Sequence, residues 1–261
     1  MGQQSSGNQL SVLSGGSRVA FFGGSFDPPH LGHLGVARAA QTALGLDTVL
    51  FAPVGTQPLK PQGPTACFED RVIMTRLAIA DEPRFSLSLA DAPKSSGAPN
   101  YTLEALIALR AQLPPENALF CLMGADSFAG FSRWHRAAEI PFVAPLIIAS
   151  RPSESQWSQW PQHGLQSALP EGLSLAGQGF SPEINSMSEK EIDLRCYILR
   201  NPAGQQAPLY LLPGLHIDIS ASQIRDRIHN LTQPSAASKT PEPALLPPPV
   251  LEYIDAHGLY R

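Results

Sequence analysis

Short apolar runs of strand length alternate with longer helical patterns through the first half of the chain. Arg18-Val19-Ala20-Phe21-Phe22 is an apolar run, and after a glycine turn Leu34 to Leu44 reads as a helix. Asp47 to Pro53 gives a second strand, and Cys67 to Ala80 a helix with Val72, Ile73, Leu77 and Ile79 among its apolar positions. Phe85 to Leu89 alternates with the period of a strand. Leu103 to Leu113 returns to helical spacing, with Asn100 or Thr102 available as its cap. Ala118 to Met123, ending at Gly124, and Pro145 to Ala149 are two further buried-strand runs. Strand and helix in alternation predict an α/β fold, a doubly wound, Rossmann-like parallel sheet with right-handed crossovers and helices on both faces.

Beyond Arg151 the regular signals fade. Trp157 and Trp160 stand among Ser, Gln, Pro and Gly, and only Leu194 to Leu199 resembles a strand before Pro208. The stretch at about 152–193 therefore reads as an irregular insertion, of the kind that serves as a lid, a partner surface or a disordered segment. Order resumes at Leu209 to Leu212. Ile217-Asp218-Ile219 then leads to Ser220, whose spacing to Gln223 is that of a capping box, so a helix is predicted to start there and run to about Asn230. Pro234 to Pro249 reads as an exposed loop, and Val250 to Ala256 as a last helix stopped at Gly258, which gives the fold a small C-terminal helical portion. Residues 1–17, rich in Gln, Ser and Gly, read as a flexible tail, and 18–261 as a single domain.

Composition narrows the class. The chain has 261 residues, 43% hydrophobic and 15% charged, enough for a substantial core. Its 26 prolines cluster late and predict long loops there. A net charge of −4 supplies no general field to draw in nucleic acid or acidic membranes, so a phosphate-bearing substrate must be held by local positive groups. Cys67, Cys121 and Cys196 are odd in number and widely spaced, which argues against a disulfide scaffold or structural zinc and fits a reducing cytoplasm. The start of the chain does not look like a signal peptide, and no apolar run is long enough to span a bilayer.

The candidate chemistry centres on Gly23-Gly24-Ser25-Phe26-Asp27-Pro28-Pro29-His30-Leu31-Gly32-His33-Leu34-Gly35. Glycines at a turn admit close backbone approach to a ligand, and the helix that follows offers unpaired N–H groups and a partial positive charge. The pattern is a phosphate site. His30 and His33, three positions apart, share one face of the helix start, where each imidazole can donate to a phosphate oxygen. In a doubly wound fold the ligand crevice lies beyond the carboxyl ends of the strands. Gly23-Gly24, Pro53-Val54, Asn100-Tyr101 and Gly124-Ala125-Asp126 all fall at such points and are expected to converge.

His30-Leu31-Gly32-His33 matches the His-x-Gly-His signature of the nucleotidyltransferase superfamily, and the longer Gly-Gly-Ser-Phe-Asp-Pro-x-His-x-Gly-His form resembles its bacterial nicotinate-nucleotide adenylyltransferase branch. Ile219-Ser220-Ala221-Ser222-Gln223-Ile224-Arg225 resembles the second signature, Ile-Ser-x-[Ser/Thr]-x-Ile-Arg. The resemblance covers Arg18 to about Arg151 and Pro208 to Arg261. It implies that Gly23, Gly24, Ser25, Phe26, His30 and His33 receive ATP, joined by Ile219, Ser220, Ser222 and Arg225 as a phosphate clamp. Lys60 aligns with a lysine that contacts ATP phosphates, although the family usually has a histidine immediately before it, where this chain has Leu59. Asp126, read from the residues alone, is either a helix cap or an acceptor for ribose hydroxyls, and the resemblance favours the second. Trp134 is either a core aromatic or a stacking surface. In the family a tryptophan here stacks on the nicotinate ring, with Tyr101 and Thr102 in the same pocket and Ser25 and Phe26 also meeting the mononucleotide.

The activity so implied is adenylyl transfer from ATP to nicotinate mononucleotide, with His30, His33 and Arg225 as the catalytic set and Mg²⁺ arriving with ATP. His135, His163, His216, His229 and His257 lack metal-ligand spacing, and no metal site of the protein's own is expected. A homo-oligomer is compatible with the sequence. The alternatives are an enzyme taking nicotinamide mononucleotide or phosphopantetheine and, from another class, a nucleotide-sensing interaction protein.

Overall fold

The computed structural model describes residues 16–59, 63–149, 162–178, 194–212, 220–231 and 245–261. Its strands are β1 (Arg18–Gly24), β2 (Thr48–Pro53), β3 (Phe85–Leu87), β4 (Ala118–Gly124), β5 (Leu146–Ala149), β6 (Ser174–Gln178), β7 (Arg195–Arg200) and β8 (Gln206–Leu212). The helices among the described residues are α1 (Leu31–Leu44), α2 (Phe68–Ala78), α3 (Thr102–Gln112), α4 (Ala125–Ala129), α5 (Ile140–Val143), α6 (Gln162–Ala168), α7 (Ala221–Leu231) and α8 (Pro248–His257). The strands form one sheet in the order β3-β2-β1-β4-β5-β8-β7-β6.

From β3 to β8 every pairing is parallel, and β1 is flanked by β2 on one side and β4 on the other, in register Phe22↔Phe51 and Phe22↔Leu122. The strand order reverses at β1, which is where such sheets open a crevice at their carboxyl edge. Alternation along each strand feeds two cores. Ala20, Phe22, Val49, Phe51, Leu122 and Ile147 pack with α1, α2, α7 and α8. Val19, Phe21, Leu119, Cys121, Leu146 and Ile148 pack with α3, α4, α5 and α6 on the opposite face. The doubly wound reading therefore holds, with helices on both faces and α7 and α8 completing the first core.

The structure corrects the expectation in three places. The sheet is mostly rather than wholly parallel, because β7 and β6 extend it as an antiparallel meander. The stretch expected to be irregular contains α6 and β6. Their apolar residues are few, Leu165, Ala168 and Leu173 among them, and become legible only when they pack on the second core. The last helix begins at Pro248, two residues before the expected start and inside the expected loop, with proline in its first turn, where the missing N–H has no intrahelical partner to lose. Gly258 ends it in the left-handed region at φ 62°. The capping box is made as expected, Gln223 N–H donating to Ser220 Oγ at 3.2 Å and Ser220 N–H to Gln223 Oε1 at 3.1 Å. The tail at 1–15, the Ile217-Asp218-Ile219 run and the loop at 232–244 lie outside the described residues.

Candidate active site

β1 carries the chain to the carboxyl edge of the sheet, and there Gly23 and Gly24 are required by packing rather than by a left-handed backbone. A Cβ on Gly23 would stand 2.8 Å from the Phe21 ring and one on Gly24 3.2 Å from that of Phe26, and both rings are buried. The left-handed residue of the turn is Phe26 itself, at φ 47°. Such a conformation is uncommon outside glycine and persists where the surroundings over-determine it.

His30 immediately precedes α1 and His33 lies in its first turn. The His30 backbone N–H donates to His33 Nδ1 at 3.1 Å. A backbone amide can only donate, so Nδ1 accepts and the neutral His33 ring carries its proton on Nε2. The rings lie 3.7 Å apart at 30°, and Phe26 presents to His33 at 5.0 Å and 66°. Two imidazoles held this way cannot turn independently.

Beneath the turn Asp27 is almost wholly buried. Its Oδ1 accepts from Ala66 N–H at 3.0 Å and the Tyr260 hydroxyl at 2.8 Å, and Oδ2 from Thr65 N–H at 2.6 Å. Arg225, from α7, donates Nη1–H to the Asp27 carbonyl at 2.7 Å and Nη2–H to Ser222 Oγ at 3.2 Å. The same Nη1 lies 3.7 Å from Asp27 Oδ2. Arg71, buried in α2, donates to the Ser25 carbonyl at 2.7 Å, and burial lowers its pKa while Asp27 opposes that fall. Two guanidinium groups against one carboxylate leave the underside of the turn positive, suited to a polyanion.

One cavity of about 710 Å³ joins this turn to the rest of the crevice, within the range of small-molecule sites. Its lining includes Gly23, Gly24, Ser25, Phe26, His30, His33, Ser222 and Arg225 at one end and Tyr101, Thr102 and Trp134 at the other, with Gly124 and Asp126 between. Ser220 is not in the lining, although its neighbour Ala221 is. Lys60 and Ile219 fall outside the described residues.

At the far end the expected cap of α3 is not made. Tyr101 occupies the cap position, and no side chain bonds the first turn. Asn100 instead ties two loops together, accepting from Thr56 N–H at 2.9 Å and donating to the Ala92 carbonyl at 2.8 Å. The uncapped start of α3 thus forms part of the cavity wall, a partial positive charge with amide donors. The Tyr101 ring stacks on His135 at 4.2 Å and 29°, and Trp134 is half-buried with one edge against Phe131 at 5.6 Å. Trp134 therefore packs on the core and also lines the cavity. Asp126 is exposed as the second residue of α4, with Gly124 in the cap position, so the cap alternative fails.

Sequence reasoning missed several cavity residues. Gln57 accepts from the Ser25 hydroxyl at 3.1 Å, and Arg133 and His135 flank Trp134. Asp91 is the most unusual: it is 4% exposed, and burial pushes its carboxyl up to about 7, against the opposing hydrogen bond from Asn100 and charge of Lys94. Its place just after the Phe85 to Leu89 run, at the carboxyl end of a strand, was the available signal.

This fold, with its histidine-bearing turn at the reversal of strand order, is a nucleotidyltransferase architecture. The cytidylyltransferase-like family model matches residues 21–227, and the chain belongs to that family. Longer matches narrow the branch to the nicotinate-nucleotide adenylyltransferases. A Stenotrophomonas maltophilia protein named as a probable nicotinate-nucleotide adenylyltransferase is 34% identical over 247 residues, covering 92% of this chain and 96% of its own. A protein of the same name from Trichlorobacter lovleyi is 32% identical over 244 residues, covering 94% and 99%. The fold is shared with Plasmodium falciparum nicotinic acid mononucleotide adenylyltransferase complexed with NaAD, at a TM-score of 0.58 and 15% identity over 94% of this chain and 97% of that one.

Proposed function

We propose that the chain transfers the adenylyl group of ATP to the 5′-phosphate of nicotinate mononucleotide, giving nicotinate adenine dinucleotide and pyrophosphate. The observation that carries this reading is the two-ended cavity. A histidine and arginine phosphate turn lies at one end, and an uncapped helix start beside Trp134 lies at the other.

In this reading an oxygen of the mononucleotide phosphate attacks the α-phosphorus of ATP in line. The bond to the bridging oxygen breaks, and pyrophosphate leaves with the electron pair. The attacking phosphate is already ionised, so no general base is needed. Catalysis then rests on alignment and on charge stabilisation by groups fixed beforehand. His33, its Nδ1 held by His30 N–H, offers Nε2–H to the transferring phosphate, and Arg225, Ser222 and His30 hold the remaining oxygens. Asp126 receives the ribose. The pyridine ring stacks on Trp134, and its carboxylate meets the amides at the start of α3. In this reading Mg²⁺ arrives with ATP as part of the nucleotide substrate. The single-domain reading of 18–261 belongs to this proposal and is supported by a core that includes both Ala20 and Tyr260. So does a reducing cytoplasm, supported by three cysteines that are all free thiols.

The test is pyrophosphate release with ATP and Mg²⁺ in separate reactions containing nicotinate mononucleotide, nicotinamide mononucleotide or phosphopantetheine. Release selective for the nicotinate form is expected. Selectivity for another acceptor overturns the ring assignment, and ATP binding with no release in any reaction turns the reading to a nucleotide sensor.

A further inference from the structure

The buried Asp27 carboxylate is approached from three separate parts of the chain. Ala66 and Thr65 reach it from the loop before α2, Arg225 from α7, and Tyr260 from the turn that follows α8. Three neutral donors sit at 2.6 to 3.0 Å, whereas the Arg225 nitrogen is held off at 3.7 Å, too far for a hydrogen bond. The guanidinium therefore keeps its place on the cavity wall, tied to the Asp27 carbonyl and Ser222 rather than to the carboxylate.

Tyr260 is placed with some backbone strain. It is a non-glycine residue at φ 65°, and Phe26, the neighbour of Asp27, is another at φ 47°. A left-handed residue at one end of this hydrogen bond and another next to its other end mark an arrangement held by its surroundings. Burial, with Asp27 beside it, also raises the Tyr260 phenol well above its ordinary value, so the hydroxyl remains a donor across the working pH range.

We propose that Tyr260 is a positioning residue for ATP: its hydroxyl saturates Asp27 Oδ1 and so keeps Arg225 available to the nucleotide phosphates. Without that hydroxyl Oδ1 keeps only the Ala66 N–H, and a buried carboxylate left with two amide donors instead of three draws more strongly on the cation beside it. Arg225 then closes its 3.7 Å gap to the other carboxylate oxygen, Oδ2, and withdraws from the cavity. The inference rests on the assignment of Arg225 to the triphosphate, not on the identity of the acceptor.

The test is calorimetric titration with ATP and Mg²⁺ of wild type, Tyr260→Phe, Arg225→Lys and the double variant, together with each protein's melting temperature. Tyr260→Phe is expected to raise the Kd for ATP about fivefold to tenfold, the effect of one charge-assisted hydrogen bond. Kd for nicotinate mononucleotide should change less than about twofold. In the Arg225→Lys background the same substitution is expected to add no further loss, because the group through which it acts is gone. An unchanged ATP Kd in Tyr260→Phe overturns the proposal, as does an equal loss in both backgrounds or a parallel weakening of both ligands, which would mark a structural role alone. Pyrophosphate release is not the readout, so a failure of the acceptor assignment appears in the enzyme assay and leaves the ATP titration of Tyr260→Phe untouched.

Discussion

The two ends of the cavity are built on opposite plans. At the phosphate end each functional group is fixed by several others: His33 by His30, Arg225 by Asp27 and Ser222, and Asp27 by loop amides and Tyr260. At the other end, where the proposed reading puts the pyridine ring, α3 begins without a side-chain cap and the wall offers backbone amides and the rings of Trp134 and Tyr101. The first plan suits an electrostatic task, since donors that need no reorganisation stabilise charge as it moves. The second suits recognition of a flat aromatic acid, where stacking and a helix start supply selectivity without a buried cation.

The largest expected departure from this division concerns Asp91, a buried acid in the wall of the same cavity. Its folded-state pKa of about 7 lies above that of the unfolded chain, so the folded protein holds the extra proton between about pH 4 and 7. Stability from this group is then fully present below the unfolded value and lost as pH rises through 7, a cost on the order of 4 kcal/mol. Urea unfolding of Asp91→Asn at pH 4 and pH 8 should show the variant gaining on wild type at the higher pH; an equal difference at both would sink the assignment.

His33→Ala sharpens the contrast from the other end. Removing one prepositioned donor is expected to lower kcat about 10²- to 10³-fold while leaving mononucleotide affinity nearly unchanged. Equal losses in both would move His33 from the transferring phosphate to general binding. Trp134→Ala should do the reverse, raising KM for nicotinate mononucleotide about tenfold with ATP affinity intact, as the loss of a stacking face implies. Steady-state kinetics with each substrate varied in turn separates the two. The smallest effect is expected at Gly124, between the ends. A Cβ there meets no protein atom within 4 Å and projects where the cavity opens, so Gly124→Ala should leave the melting temperature unchanged and weaken ATP by about twofold to fivefold.

The phosphate turn was legible because its information is local. Glycines, histidines and the helix they precede occupy one continuous run, and the Ser220 to Gln223 capping box likewise spans three positions. What escaped notice is non-local. Arg71 reaches Ser25 across 46 positions, and Tyr260 reaches Asp27 across 233. No periodicity reports a pairing at that separation. The Leu194 to Leu199 run does form β7, but β6 beside it has no legible pattern for a related reason: Ser174-Leu175-Ala176-Gly177-Gln178 at a sheet edge has little apolar alternation and owes its form to its neighbour. The cap of α3 shows the opposite failure. Asn100 is a good capping residue by type, but its amide is committed to the loops at Thr56 and Ala92.

Tyr260 also sets an order of events during synthesis. Translation runs from the N-terminus, so the glycine and histidine turn is made early and waits for a hydroxyl 233 residues downstream. A nascent or prematurely terminated chain that stops short of Tyr260 presents the signature residues with Asp27 one donor short. On the proposal above, a full hold on the nucleotide phosphates waits until residue 260 has been made and has docked on Asp27.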